Sequence, residues 1–231
     1  MKYEKIEKGF FISRPNRFIA NVNIDGKVET VHVKNTGRCK ELLLPGCTVY
    51  LCVSQNPTRK TKYDLVAVEK LREEKEPLLI NMDSQIPNFV AEEFLKQGNF
   101  FSREAIIKRE VKYQNSRFDI YVEDKGRKAF VEVKGVTLEN DGVAMFPDAP
   151  TLRGIKHINE LIKAKNEGYE AYILFIIQMK GAVLFTPNIQ THKEFATALK
   201  DAQDAGVNII AYDCEVKPDE IKINQKVRVK I

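Results

Sequence analysis

A small β-barrel over residues 1–82, followed by an α/β domain over residues 83–231, is the architecture this sequence predicts. Three observations carry it. The first part holds short apolar runs separated by turn residues, the second holds strand and helix patterns in alternation, and the composition shifts between them at "EKEPLLINMDSQIPN". A chain of 231 residues with 43% hydrophobic content is long enough to bury a sizeable core in each part.

The barrel strands are "FIANVNI", "VETVHVK", "CTVYLCVS" and "YDLVAVEKL", with further short apolar runs between them. Asp25-Gly26 is a hairpin signal, Pro45-Gly46 closes the run in "NTGRCKELLLPG", and "QNPTRKTK" is a polar loop. Five or so strands in this length suit a small barrel, of which the OB-fold is one type. In the second part "NFVAEEFLKQG" reads as a helix stopped by Gly98, and two or three strands follow. "PTLRGIKHINELIKAKNEG" has a Thr151 N-cap, apolar Leu152, Ile155, Ile158 and Ile162 at helical spacing, and a stop at Gly168. "EAYILFIIQ" is a strand covered on both faces. "THKEFATALKDAQDAG" opens with a capping box, Thr191 and Glu194, ends at Gly206, and precedes the strand "VNIIAYDCEV". Strand, helix, strand at this spacing predicts a crossover and a sheet that is at least partly parallel.

Lys and Arg number 37 against 32 Asp and Glu, a net charge of +5 that permits a polyanionic partner without requiring one. "MKYEKIEKGFF" lacks the apolar core of a signal peptide, and no uncharged run is long enough to span a bilayer, so the expectation is a cytoplasmic protein with no membrane partner. Cys39, Cys47, Cys52 and Cys214 lack zinc spacing and read as reduced structural thiols.

The chemistry gathers on one predicted hairpin. In "SRFDIYV" Phe118, Ile120 and Val122 share a face, leaving Asp119 and Tyr121 on the other; in "FVEVK" Val131 and Val133 oppose Phe130, Glu132 and Lys134. A turn at Lys125-Gly126 pairs residue 119 with 132. Two facing carboxylates repel unless a cation compensates. They suit a hard divalent ion, Mg²⁺ or Mn²⁺, that keeps several waters, and Lys134 would reach the same water or phosphate. The alternative is a set of solvent-facing charges that protects a strand edge.

This D…E-x-K hairpin resembles the PD-(D/E)XK nuclease core. "REVKYQNSRFDIYV", "AFVEVKGVTL" and "MFPDAPTLRGIKHINEL", with "FIANVNIDG" and "NTGRCKELLLPG" upstream, are similar to the sugar fermentation stimulation (SfsA) family over nearly the whole chain. The resemblance implies an α+β protein of two domains, a small N-terminal OB-like barrel followed by an α/β PD-(D/E)XK nuclease-like domain. It also implies DNA binding with a regulatory link to sugar (maltose) metabolism. Carried over, it gives Asp119 and Glu132 as metal ligands and Lys134 as the catalytic lysine. Such cores often add an upstream glutamate, for which Glu110 is the candidate and Glu92 or Glu93 the alternative.

"FPDAPTLRGIKH" places Asp148, Thr151, Arg153, Lys156 and His157 at a helix start, where backbone N–H groups and the two cations favour a phosphate; a capped amphipathic helix with a solvated basic face is the plainer account. In the barrel, Arg14, Arg17, Lys34, Arg38 and Lys40 are candidates for phosphate contact, while Phe11 and Phe18 are expected in the core. The leading expectation is therefore a sequence-nonspecific DNA-binding protein with a Mg²⁺-dependent phosphodiesterase site. A non-enzymatic DNA-binding regulator is the alternative, and RNA is a second eligible polymer.

Overall fold

A computed structural model describes residues 1–35 and 37–231. Six strands form the N-terminal sheet: β1 (Ile6–Asn16), β2 (Ile19–Ile24), β3 (Lys27–Val33), β4 (Thr48–Val53), β5 (Tyr63–Arg72) and β6 (Lys75–Asn81). β1 pairs with both β2 and β4, β2 with β3, and β4 with β5, all antiparallel; a short parallel pairing of β3 with β5 closes the ring. That closure removes the sheet edges and defines the OB barrel. β6 extends the sheet beyond β5. The β2–β3 hairpin turns at Asp25 (φ 49) and Gly26 (φ 83), the pair of left-handed residues that a two-residue turn of this hand requires. Two barrel strands are concealed in the sequence: β1, because charged residues and outward-facing Phe10 and Ile12 obscure its alternation, and β6, which lies in the stretch where the composition shifts. Phe11 lies in the barrel core as expected, but Phe18 does not. At the hairpin end its ring is 47% exposed, with the Arg17 guanidinium 4.7 Å from its centre.

The chain then enters α1 (Ile86–Lys96), with a proline in its first turn and its end at Gly98 (φ 90). A nine-stranded sheet follows. Its first strands are β7 (Ile106–Tyr113), β8 (Ser116–Asp124) and β9 (Arg127–Val136), an antiparallel meander. Short β10 (Leu138–Asn140) and β11 (Val143–Phe146) lead to α2 (Leu152–Asn166) and then β12 (Glu170–Ile177), which returns parallel to β9. β13 (Leu184–Pro187) and α3 (Lys193–Asp204) lead to β14 (Asn208–Lys217), again parallel to β12, and β15 (Glu220–Val229) turns back antiparallel. The strand order is β10-β11-β13-β15-β14-β12-β9-β8-β7, mixed as the crossover spacing predicts. Thr151 caps α2, its hydroxyl accepting the Gly154 N–H at 3.0 Å. The expected capping box at Thr191 does not form. α3 begins one residue later, with His192 at the N-cap, because the Asn188 side chain takes the Thr191 N–H and holds it in the preceding turn.

The barrel sits on the carboxyl ends of β9 and β12. Gln178, just past β12, accepts the Asn81 N–H at its carbonyl (2.9 Å) and donates Nε2 to the Asn81 side-chain oxygen (3.0 Å) and the Asp83 carbonyl (3.1 Å). Lys70 of β5 reaches Glu139 of β10 at 2.7 Å. Lys34 reaches the fully buried Asp83 at 3.1 Å. Residues at the very start also dock on the second domain: Tyr3 donates its N–H to the Asp219 carbonyl and packs with Ile86, Val90 and Ile221.

Candidate active site

β8 and β9 meet in the register that the turn at Lys125-Gly126 predicts: Asp124 faces Arg127 and Ile120 faces Val131. One step further lie Asp119 and Glu132, and there the paired backbone ends. The Asp119 carboxylate instead accepts the Val133 N–H at 2.8 Å with Oδ2 and the Asn88 amide of α1 at 2.9 Å with Oδ1. Opposite Asp119 on β7, Glu110 has φ 58, a left-handed conformation in mid-strand that an L-residue adopts only at a cost. The irregularity changes which side chains share a face. Ile120, Val122, Val131 and Val133 pack beside α1 as expected, but Phe118 goes to the other core, with its ring 4.9 Å from Phe130.

Glu132 points from β9 toward α2 and is only 2% exposed. Its Oε1 accepts from Lys134 Nζ and from His157 Nδ1, while its Oε2 is buried without a partner. Lys134 therefore lies on the same face as Glu132, as alternation requires. Burial alone would raise the Glu132 carboxyl, but the Lys134 charge and the His157 hydrogen bond outweigh it and hold Glu132 below its ordinary value. Asp119 moves the other way, pushed up to about 6 by burial and by the negative charge of Glu132. The two carboxylates are thus separated in acidity by their surroundings, a pattern associated with functional sites.

His157 is buried and joins this cluster; Arg153, one turn earlier on α2, is exposed with its Nε 3.5 Å from His157 Nε2. Lys156 is exposed too, but its Nζ donates to the Asn115 carbonyl at 2.7 Å. Glu110 is not brought in, because its carboxylate pairs with Arg117 at 2.7 Å on the outer face of the meander. Of the alternatives, Glu92 pairs with Lys96 and Glu93 with the terminal amine. Among the described residues no group of three or more His, Cys, Asp and Glu side chains converges as a metal centre. The two carboxylates nevertheless fit a hard cation that keeps its waters, and the partnerless buried Oε2 is the atom such an ion would satisfy.

The barrel candidates divide. Arg14 donates to the carbonyls of Gly37, Arg38, Arg17 and Asn35 at 2.6 to 3.0 Å, so it ties the loop after β3 to the β1–β2 turn. This leaves the Arg17, Arg38 and Lys40 side chains exposed along that edge. Asp148, beyond β11, lies against Gly37 of the same loop, where a Cβ would collide with its carboxylate. Nothing in "PNFVAEE" signals the contact of Asn88 with a residue 31 positions on.

An OB barrel seated on a mixed α/β sheet that carries a D…E-x-K hairpin defines a two-domain α+β protein. The chain belongs to the sugar fermentation stimulation protein family. Residues 85–220 match the model of the sugar fermentation stimulation protein RE domain, and residues 12–74 match that of the SfsA N-terminal OB domain. It is similar to the sugar fermentation stimulation protein homologs of Clostridium beijerinckii, 56% identical over 229 residues and 99% of each chain, and of Ruminiclostridium cellulolyticum, 54% identical over the full length of both. Among solved structures it is similar to Pyrococcus furiosus SfsA in complex with Ca²⁺, with a TM-score of 0.85 and 30% identity over 100% of this chain and 98% of that one. No helix among the described residues is long and apolar enough to cross a membrane.

Proposed function

We propose that the chain is a DNA-binding protein with a Mg²⁺- or Mn²⁺-dependent phosphodiesterase site, acting without base-sequence specificity. The observation that carries this reading is the buried, partnerless Oε2 of Glu132 beside a second, half-buried carboxylate, Asp119. The related Pyrococcus protein in complex with Ca²⁺ supports it, since Ca²⁺, like Mg²⁺, is a hard cation held by oxygen donors. Asp119 and Glu132 would hold the ion, which when bound supplies a water of lowered pKa and draws charge from the phosphoryl oxygens. Asn88 and the Val133 N–H fix Asp119 in place, and the Lys134 charge together with His157 keeps Glu132 ionised. Lys134, held on Glu132, orients the attacking water or stabilises charge that develops on the phosphate. Arg153 meets the backbone of the strand. RNA is the second polymer the barrel suits.

A second reading, a DNA-binding regulator of sugar metabolism without chemistry, is favoured by one observation: Glu110 is engaged by Arg117 and is not brought to Asp119 and Glu132. Calorimetric titration of Mg²⁺ and Mn²⁺ tests the metal site on which the first reading rests. Wild type binds, and Asp119→Ala and Glu132→Ala each abolish binding while the fold survives; equal affinity in all three proteins removes the metal site.

A further inference from the structure

Where the barrel meets the carboxyl ends of β9 and β12 there is a cavity of about 110 Å³ that the phosphodiesterase reading does not use. Gly135, the residue after Lys134, forms part of its wall, so it begins one residue from the candidate catalytic lysine. Leu138, Met145 and Phe146 make the apolar part of its lining. The rest is polar, and three of its side chains are oriented by contacts already described or by their neighbours. Gln178 has its amide nitrogen committed to Asn81 and Asp83, which turns Oε1 toward Gly135; a Cβ on Gly135 would lie 2.6 Å from that oxygen. Asn35 accepts the Gly37 N–H at 2.8 Å with Oδ1, leaving Nδ2 as its donor end. Asp148 brings a carboxylate from the second domain against the barrel loop, an approach that Gly37 permits because it lacks a side chain.

An apolar lining together with acceptors and a donor, of which Asn35 and Asp148 meet at Gly37, is the chemistry that receives a flat heterocycle with a mixed hydrogen-bonding edge. The volume falls well below the roughly 300 Å³ at which pockets for whole drug-sized ligands begin, so a single ring system enters and its sugar and phosphate stay outside. That matches a strand whose phosphate lies at Glu132 and Lys134. We infer that the cavity is a nucleobase subsite, and that it takes one unstacked base, preferring guanine, from the nucleic-acid strand bound at the neighbouring carboxylate site. Guanine offers two adjacent donors, N1–H and the 2-amino group, to the Asp148 carboxylate, and its O6 accepts from Asn35 Nδ2. Thymine and uracil would turn carbonyl oxygens toward that carboxylate and are disfavoured. A base enters only after leaving its stack, so single-stranded or frayed substrate is favoured over continuous duplex.

The inference rests on the phosphodiesterase reading, and the test keeps the two apart. Full-length protein in EDTA, at fixed salt, is titrated by fluorescence anisotropy against labelled oligothymidylate carrying one central guanine, the same strand with an abasic site there, and thymine throughout. Metal-dependent cleavage is assayed in parallel. Wild type should bind the guanine strand about tenfold more tightly than either of the others, and Asp148→Asn should compress that ratio to about twofold or less. Equal affinity of wild type for the three strands, with metal-dependent cleavage intact, overturns the base subsite and leaves the phosphodiesterase standing. A guanine preference untouched by Asp148→Asn overturns the assigned recognition. Failure to bind any strand, together with no cleavage, overturns both.

Discussion

Asp119 accepts the backbone N–H of Val133 at 2.8 Å, a side chain taking over where the paired backbone of β8 and β9 ends at Ile120 and Val131. This contact keeps a carboxylate beside Glu132 inside the sheet, where burial and the neighbouring charge both oppose its ionisation. On the proposed reading this carboxylate awaits a cation, and four expectations can be measured.

In the metal-free protein Asp119 should destabilise the fold at neutral pH. Its carboxyl titrates at about 6 in the folded chain against 3.8 for an ordinary Asp, so over that interval the folded state binds more protons than the unfolded one. Stability from this group is greatest below the lower value and falls as pH rises through the higher one. Asp119→Asn, in EDTA, should therefore gain roughly 1–3 kcal/mol at pH 7 and little at pH 4. Thermal melts at both pH values check this, and an equal effect at the two contradicts it.

His157→Ala should destabilise the protein by roughly 1–3 kcal/mol in urea unfolding, because a buried carboxylate loses a hydrogen-bond partner. Glu132→Gln made in the same chain should recover part of that loss, since it removes the charge left without His157. Simple addition of the two single effects would mean that the pair does not interact.

Arg14 and Arg17 should separate structure from binding. Arg14→Ala removes donors from four loop carbonyls and should cost about 2 kcal/mol or more of stability. Arg17→Ala, like Arg153→Ala, should leave the melt unchanged, weaken DNA binding across all sequences and flatten its salt dependence by about one phosphate contact. Lys156→Ala should do less, because its ammonium already rests on the Asn115 carbonyl. A sharp, salt-insensitive preference for one sequence would favour the specific regulator.

Local pattern made much of this protein legible. The turn at Lys125-Gly126 fixed the hairpin register, and alternation put Lys134 beside Glu132, because both are rules of a regular ladder. Phe118 was misplaced where the ladder stops being regular, at the Asp119 and Glu110 step. Thr151 caps its helix as the sequence indicates, whereas Thr191 is held in the preceding turn by Asn188, three residues upstream, and α3 starts after His192 with no side-chain cap. Contacts made only by tertiary folding left no local trace: Asn88 on Asp119, Arg14 on four carbonyls, and His157 on Glu132.

The central claim, that Lys134 and the two carboxylates perform chemistry rather than only bind, is tested most directly by single-turnover cleavage of labelled single- and double-stranded DNA in Mg²⁺, Mn²⁺ or EDTA. Wild type and Lys134→Ala are compared, with equilibrium binding measured beside the rates. The account predicts cleavage by wild type with either metal and none in EDTA. In Lys134→Ala it predicts a rate lower by about a hundredfold or more, with affinity nearly unchanged. Equal rates in the two proteins, or no metal-dependent cleavage of DNA or RNA by wild type, would contradict it.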